Sequence, residues 1–395
     1  MHFDPARLAR LDKHFARYVD DGRLAGWQLA VTQGDTLAHE ASYGWRDREA
    51  GLPVESDTIW RIASMTKPAI SVAAMTLWEE GVFELTDPIS KWIPSFENVR
   101  VYAKGVGRSM VTVPAAEPIR VWHLFTHTSG LTAGFLYNSV VDALYRDAGY
   151  EFTSPPHPSI AECCDDWARL PLLFEPGTAW GYGVSHDVLG RLVEIWSGQS
   201  LDAAVNSRVC EPLGMTDTMF WCDAARGDRL AALYAIGEDD QAMRVPAPGV
   251  TDGPPAILSG GGGLVSTASD YTSFARMLAN GGSIGGTRLL SPETVRLMRA
   301  NHLPGDLGQL STGGFAETSF DGVGFGLGVA VNVDPIRQHS VSSAGEFFWG
   351  GVYSTAFWVD PVNNVTCVFM TQLMPSGSHP IRSQLRQLVY AAMVD

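Results

Sequence analysis

Apolar residues open the chain at helical spacing: Leu8, Leu11, Phe15 and Val19, within residues 5–24, predict an amphipathic helix. Trp27 to Thr32 and Thr36 to Tyr43, joined across Gly34-Asp35, predict a β-hairpin. Ile59 and Ile62 lead into an apolar helix that starts at Ser64 and ends at Gly81, and residues 85–94 read as a turn and a short helix. Residues 101–117 are polar and irregular, which predicts a surface excursion. From Pro118 the spacing is helical again, with a short helix in 119–131 stopped by Gly130 and further helices at 158–170, 185–198 and 200–212. A loop is expected around Pro155, Pro156 and Pro158. A Pro- and Gly-rich passage at 245–263 ends in Gly260 to Gly263. Helices at 268–280 and 291–300 follow, then strands at 323–332, 338–348, 352–359 and 364–371, and a closing helix at 379–393. No internal repeat or low-complexity tract appears.

This order predicts an α+β fold. The N-terminal hairpin and the C-terminal strands would share one antiparallel sheet covered by the terminal helices. Residues 1–75 and 245–395 then form an α/β domain, and 76–244 form a helical domain inserted between its halves. The cleft between the two is where Ser64 is expected.

Composition narrows the function. The 395 residues are 45% hydrophobic and 18% charged, as in a soluble globular protein with a sizeable core. A net charge of −15 argues against nucleic acid or an anionic membrane as partner. Cys163, Cys164, Cys210, Cys222 and Cys367 match neither a metal spacing nor a disulfide framework, which suggests free thiols in a reducing compartment. The N-terminus lacks the pattern of a secretory signal and no apolar run is long enough to span a bilayer, so a cytoplasmic location is expected.

Candidate chemistry centres on Ser64-Met-Thr-Lys67. On a helix, residues three apart lie on one face, separated by about 4.5 Å along the axis. A partly desolvated lysine there can take the proton of the serine hydroxyl and make it a nucleophile. Lysine is scarce: of 28 basic residues only Lys13, Lys67, Lys91 and Lys104 are lysine. Arginine, which stays protonated, cannot substitute as a base. Tyr182, in the turn-rich Pro176-Gly-Thr-Ala-Trp-Gly-Tyr-Gly, could project its hydroxyl into the cleft as a general acid or base. In Glu346-Phe-Phe-Trp-Gly-Gly-Val-Tyr353, paired glycines on a strand would let a substrate approach the backbone, and free N–H groups there could bind an oxyanion. Gly281-Gly-Ser-Ile-Gly285 matches a nucleophile-elbow motif, but it follows a helix rather than a strand, so Ser283 reads as a turn residue. His123 and His127 lie four apart without a third ligand, which argues against zinc; His127 is expected to fix a loop through hydrogen bonds.

Five ordered stretches carry a resemblance: Ser64-Met-Thr-Lys67, Leu124-Phe-Thr-His-Thr-Ser-Gly-Leu131, Pro176-Gly-Thr-Ala-Trp-Gly-Tyr182, Pro212-Leu-Gly-Met215 and Trp349-Gly-Gly351. Over most of its length the chain resembles the serine β-lactamase and penicillin-binding-protein-like superfamily, and it is most similar to the class C β-lactamase-like family VIII carboxylesterases. The resemblance implies a β-lactamase-like fold, Ser64 as the acylated nucleophile, Lys67 as its base partner and Tyr182 as a proton relay. It puts Trp349, Gly350 and Gly351 in the place of a Lys-Thr-Gly triad lining the site, with the backbone N–H groups of Ser64 and Val352 as the oxyanion hole. It implies a small-molecule ester as substrate, with no cofactor and no metal. Two positions depart from the β-lactamase pattern: Val184 stands where that pattern has Asn, and no lysine follows Lys104. Both absent groups bind the amide and carboxylate of a β-lactam, so the departures favour uncharged esters. A β-lactamase, amide hydrolase or acyltransferase on the same scaffold is the alternative reading, and a catalytically silent binding homologue is a third.

Overall fold

The first and last quarters of the chain meet edge to edge. The computed structural model describes residues 2–151, 159–247, 251, 253–313 and 320–394. Its main sheet is antiparallel and has eight strands. In chain order they are β1 (Gly26–Gln33), β2 (Thr36–Asp47), β3 (Leu52–Pro53), β4 (Val323–Phe325), β5 (Ala330–Asn332), β6 (Phe347–Gly350), β7 (Ala356–Asp360) and β8 (Val365–Thr371). Their spatial order is β4-β5-β6-β7-β8-β1-β2-β3. The junction is the β8–β1 pair, with Phe369 opposite Leu29 and Cys367 opposite Val31.

Five helices frame the sheet and the cleft: α1 (Pro5–Asp20), α2 (Thr66–Glu79), α3 (Ser185–Ser197), α4 (Ala268–Ala279) and α5 (Ile381–Ala391). Successive side chains of a strand point to opposite faces. On β1 and β8, Trp27, Leu29, Val31, Cys367 and Phe369 therefore share a core with Leu8, Leu11 and Phe15 of α1 and Leu385 and Val389 of α5. Val368 and Met370 point the other way, into the larger core that holds Phe274 of α4 and most of α2. Both faces are covered, so both strands are buried almost throughout. No described helix is long and apolar enough to cross a membrane.

Several expected elements take another form. The stretch 323–332 folds back on itself, with Val323 opposite Asn332, because Gly328 turns the chain in the left-handed region (φ 91°). Within 338–348 the strand begins only at Phe347, and 352–359 is extended only from Ala356. Residues 101–117 are more regular than expected: Arg100–Lys104 pairs with Val111–Pro114, and only its first strand faces the core, through Val101, while Val111 and Val113 are exposed. The helix at 200–212 contains a wider π turn at Asn206–Cys210. Pro212 has no N–H to continue a regular ladder there. A helix at Val140–Asp147, capped by Ser139, is additional. The loop expected around Pro155, Pro156 and Pro158 lies outside the described residues, as do parts of 245–263.

The start of β6 is held by a buried ion pair. Glu346 is fully buried, and Arg386 of α5 donates from Nε to its Oε1 at 2.9 Å. Tyr390 donates to Glu346 at 2.6 Å and lies 2.7 Å from Asp360. Burial pushes the Glu346 carboxyl above its ordinary pKa, while Arg386 pulls it down. Removing one member strands a charge in the core, so Arg386→Ala should lose about 3–5 kcal/mol in urea unfolding. Adding Glu346→Gln in the same chain should recover part of that loss, because a neutral amide is left in place of a carboxylate.

Candidate active site

Helix α2 is an unusual place for a lysine. Eleven of its fourteen residues are buried, Lys67 among them at 3% exposure. Pro68 is tolerated because the N–H groups of a first helical turn have no intrahelical acceptor. Ser64 lies just before, in a 3₁₀ turn over Ala63–Met65. Three contacts hold that turn. Met65 N donates to Ile62 O at 3.0 Å, the buried Tyr271 hydroxyl donates to Met65 O at 2.8 Å, and Leu264 N donates to Thr66 Oγ1 at 3.1 Å. Ala63 adopts φ 45°. Left-handed backbone costs a non-glycine residue about 1–2 kcal/mol, and here it falls immediately before Ser64.

Lys67 and Tyr182 converge on one oxygen. Lys67 Nζ donates to Ser64 Oγ at 3.3 Å and to Gly261 O at 2.6 Å. Tyr182 Oη donates to Ser64 Oγ at 2.7 Å. The lysine amine also lies 4.5 Å from the centre of the Tyr182 ring. These three residues, 118 positions apart at the extremes, were each singled out in the sequence.

The Thr-His-Thr-Ser-Gly stretch is the platform for the Tyr182 loop. Gly181 N donates to His127 O at 2.9 Å, Gly177 N to Thr128 O at 2.8 Å, and Val184 N to Thr132 O at 3.3 Å. Gly183 is required by contact: a Cβ there would lie 2.6 Å from Leu131 O. His127 was expected to fix a loop by hydrogen bonds, and its backbone carbonyl does. Its ring does not, since neither ring nitrogen has a hydrogen-bond partner among the described residues. The ring lies instead against Tyr182 and His186, tilted 31° to each, with centroids 4.7 and 4.8 Å away. His123 faces elsewhere and accepts from Arg120 N at 2.9 Å.

Trp349 and the glycines sit at the end of β6. The Trp349 ring is buried 5.9 Å from Tyr182 and 5.2 Å from Phe325. The glycines make room for protein: a Cβ on Gly350 would meet the Arg382 guanidinium at 2.4 Å, and one on Gly351 would meet Ile62 O at 2.5 Å. The strand end is thereby drawn against the residues preceding Ser64. Arg382 of α5 also donates to Gly351 O and Thr355 O at 2.9 and 3.1 Å. Ser64 and Val352 both line the resulting cleft. Ser283 lies apart, in a two-residue ladder with Thr287–Arg288 beyond α4.

The cleft is about 960 Å³, and apolar and aromatic side chains such as Phe135, Leu136, Trp167, Phe220 and Ile257 make up most of its wall. None of these wall residues stood out in the sequence, where an apolar residue facing a cleft and one facing the core look alike. Gly261 and Asp187, which also line it, were missed for a different reason: the first acts through its carbonyl, and the second carries no motif.

An antiparallel sheet with helices on both faces and a Ser-x-x-Lys turn at the mouth of a cleft is a β-lactamase-like fold. The chain belongs to the β-lactamase family, whose model matches residues 11–391. Protein Rv1367c of Mycobacterium tuberculosis is 37% identical over 365 residues, covering 91% of this chain and 88% of that protein. Esterase EstB of Burkholderia gladioli is 32% identical over 410 residues, covering 98% and 96%. The solved structure of EstCE1, described as a hydrolase with promiscuous acyltransferase activity, matches with a TM-score of 0.82 at 27% identity, covering 98% of this chain and 99% of that one.

Burial keeps the histidines behind the site neutral. It depresses His127 and His186 well below the ordinary imidazole pKa, with Lys67 adding repulsion to both, and it lowers His123 to about 4 with help from Arg120. A folded pKa below the unfolded value means stability that is complete above about pH 6.5 and falls as acid protonates the unfolded chain first. Each such ring contributes a slope of about 1.4 kcal/mol per pH unit between its two pKa values. Urea unfolding should therefore become steadily easier from pH 7 to pH 5. His127→Phe should flatten that slope by close to one proton, whatever its effect on stability at pH 8.

Proposed function

We propose that this protein hydrolyses small, uncharged carboxylic esters through a covalent acyl-enzyme on Ser64. The observation that carries the proposal is the convergence of Lys67 and Tyr182 on the Ser64 hydroxyl at the edge of a large apolar cleft. Its likeness over nearly the whole chain to Esterase EstB supports the same reaction class.

In this mechanism Ser64 Oγ attacks the ester carbonyl carbon while its proton passes to Lys67, and the carbonyl π bond becomes an oxyanion. The N–H groups of Ser64 and Val352 receive that oxyanion. Collapse breaks the bond to the alkoxide, which Tyr182 protonates as it leaves, and Lys67 returns the proton to Tyr182. Water then adds to the acyl-enzyme as Tyr182 takes its proton and passes its own to Lys67, and on collapse Lys67 returns that proton to Ser64 Oγ as the acid departs. Trp349, Gly350 and Gly351 form the wall along which the substrate lies. With Val184 and Trp349 in place of an amide side chain and a cationic one, an anionic β-lactam finds little to hold it. The acyl-enzyme can also pass to an alcohol in place of water. The acyltransferase activity described for EstCE1 favours this second reading.

Ser64→Ala should abolish burst kinetics with p-nitrophenyl esters and leave the fold intact. An organophosphonate should label the parent on the Ser64 peptide, and labelling on Ser283 would sink the assignment. Lys67→Arg should be nearly as inactive as Lys67→Ala, since a guanidinium cannot accept the proton.

Tyr182→Phe should slow alkyl esters more than aryl esters in acylation, because p-nitrophenolate leaves without protonation. It should slow deacylation of both. Parental rates on alkyl esters in that variant, or nitrocefin turned over faster than any simple ester, would refute the reading.

A further inference from the structure

The shorter of the two hydrogen bonds of Lys67 is to a backbone carbonyl, and the residue that owns it is held by a carboxylate. Gly261 O accepts from Lys67 Nζ at 2.6 Å, and Gly261 N donates to Asp187 Oδ1 at 3.1 Å. The same Oδ1 accepts from Ser259 Oγ at 2.6 Å. Ser259 in turn closes the glycine strap, accepting at its carbonyl from Gly263 N at 2.9 Å. The strap lies hard against the start of α3. A Cβ on Gly261 would sit 2.6 Å from Asp187 Oδ2, and one on Gly260 would sit 2.4 Å from His186 O. Asp187 is in the first turn of α3, where a carboxylate is favoured by the helix dipole.

We propose that Asp187 is a positioning residue for the lysine: by anchoring Gly261 it sets where the Lys67 amine stands relative to Ser64. The inference rests on the acyl-enzyme reading above. A glycine-rich strap has many backbone conformations open to it, and the amine would follow its carbonyl wherever the strap went. With Ser64 already 3.3 Å away, a small drift would break that contact in favour of the 2.6 Å one. The arrangement also makes one helix start responsible for both proton-transfer groups. Tyr182 lies three residues before α3, and Asp187 in its first turn reaches Lys67 through the strap.

The test is the rate at which a fluorophosphonate labels Ser64, read by peptide mass spectrometry alongside kcat and KM for an alkyl ester. Asp187→Ala removes the acceptor of both bonds. It should slow labelling and kcat by about tenfold to a hundredfold, the scale set by a misplacement near 1 Å, with KM little changed. Asp187→Asn keeps an oxygen that can accept both bonds and should restore most of the rate, with the pH midpoint of labelling where the parent has it. Ser259→Ala, which removes one bond and leaves the other, should fall between. Parental labelling in Asp187→Ala overturns the proposal. So does an Asn variant as slow as the Ala variant or with a displaced pH midpoint, since charge and not placement would then be the agent. A parent that labels at Ser64 yet turns over no ester would count against the esterase reading while leaving this one in force.

Discussion

An amine carried into an apolar helix needs hydrogen-bond acceptors, and around Lys67 that need organises the cleft. Its N–H groups are hydrogen-bond donors. Leaving them unmet in a buried position would cost more than any single contact nearby supplies. Gly261 O and Ser64 Oγ meet two of them. Each acceptor constrains a different part of the chain: one brings the glycine strap over the start of α2, the other fixes the rotamer of a serine. The aromatic face of Tyr182 completes the surroundings of the amine.

Holding Ser64 in place draws on several elements at once. The left-handed Ala63 is a local cost, and it is met by the Tyr271 hydroxyl, Leu264 and the close approach of Gly351, which come from three separate segments. Strain of this kind persists only where surrounding packing over-determines it. The paired glycines take on a meaning different from the one first given to them. Their missing side chains admit Ile62 O and the Arg382 guanidinium, so they serve the contact between the sheet and the turn that carries Ser64.

Behind the site lies a bed of neutral rings. His127, Trp180 and Trp349 lie against Tyr182, His186 and Phe325 pack behind them, and burial keeps the two imidazoles neutral. The phenol ring is thus held among tilted aromatic neighbours while its hydroxyl meets Ser64.

The amino-acid sequence by itself determined the α+β class, the long amphipathic and apolar helices, the central hairpin and the stretches that contain Ser64, Lys67 and Tyr182. These rest on local periodicity and on short-range spacing, which a linear string records directly. It also argued against Ser283 as a nucleophile elbow, because the helix before it was legible, although Ser283 lies in a short ladder and not in the turn expected. Only the tertiary structure decided which strands pair across 330 residues, that 323–332 is a hairpin and 101–117 a ribbon, and that His127 acts through its carbonyl and its ring face. The role of Gly261 was beyond reach for the same reason. A backbone carbonyl has no letter in the sequence, and its partner Lys67 is 194 positions away, so nothing local could announce a contact that exists only once the strap is laid against α3.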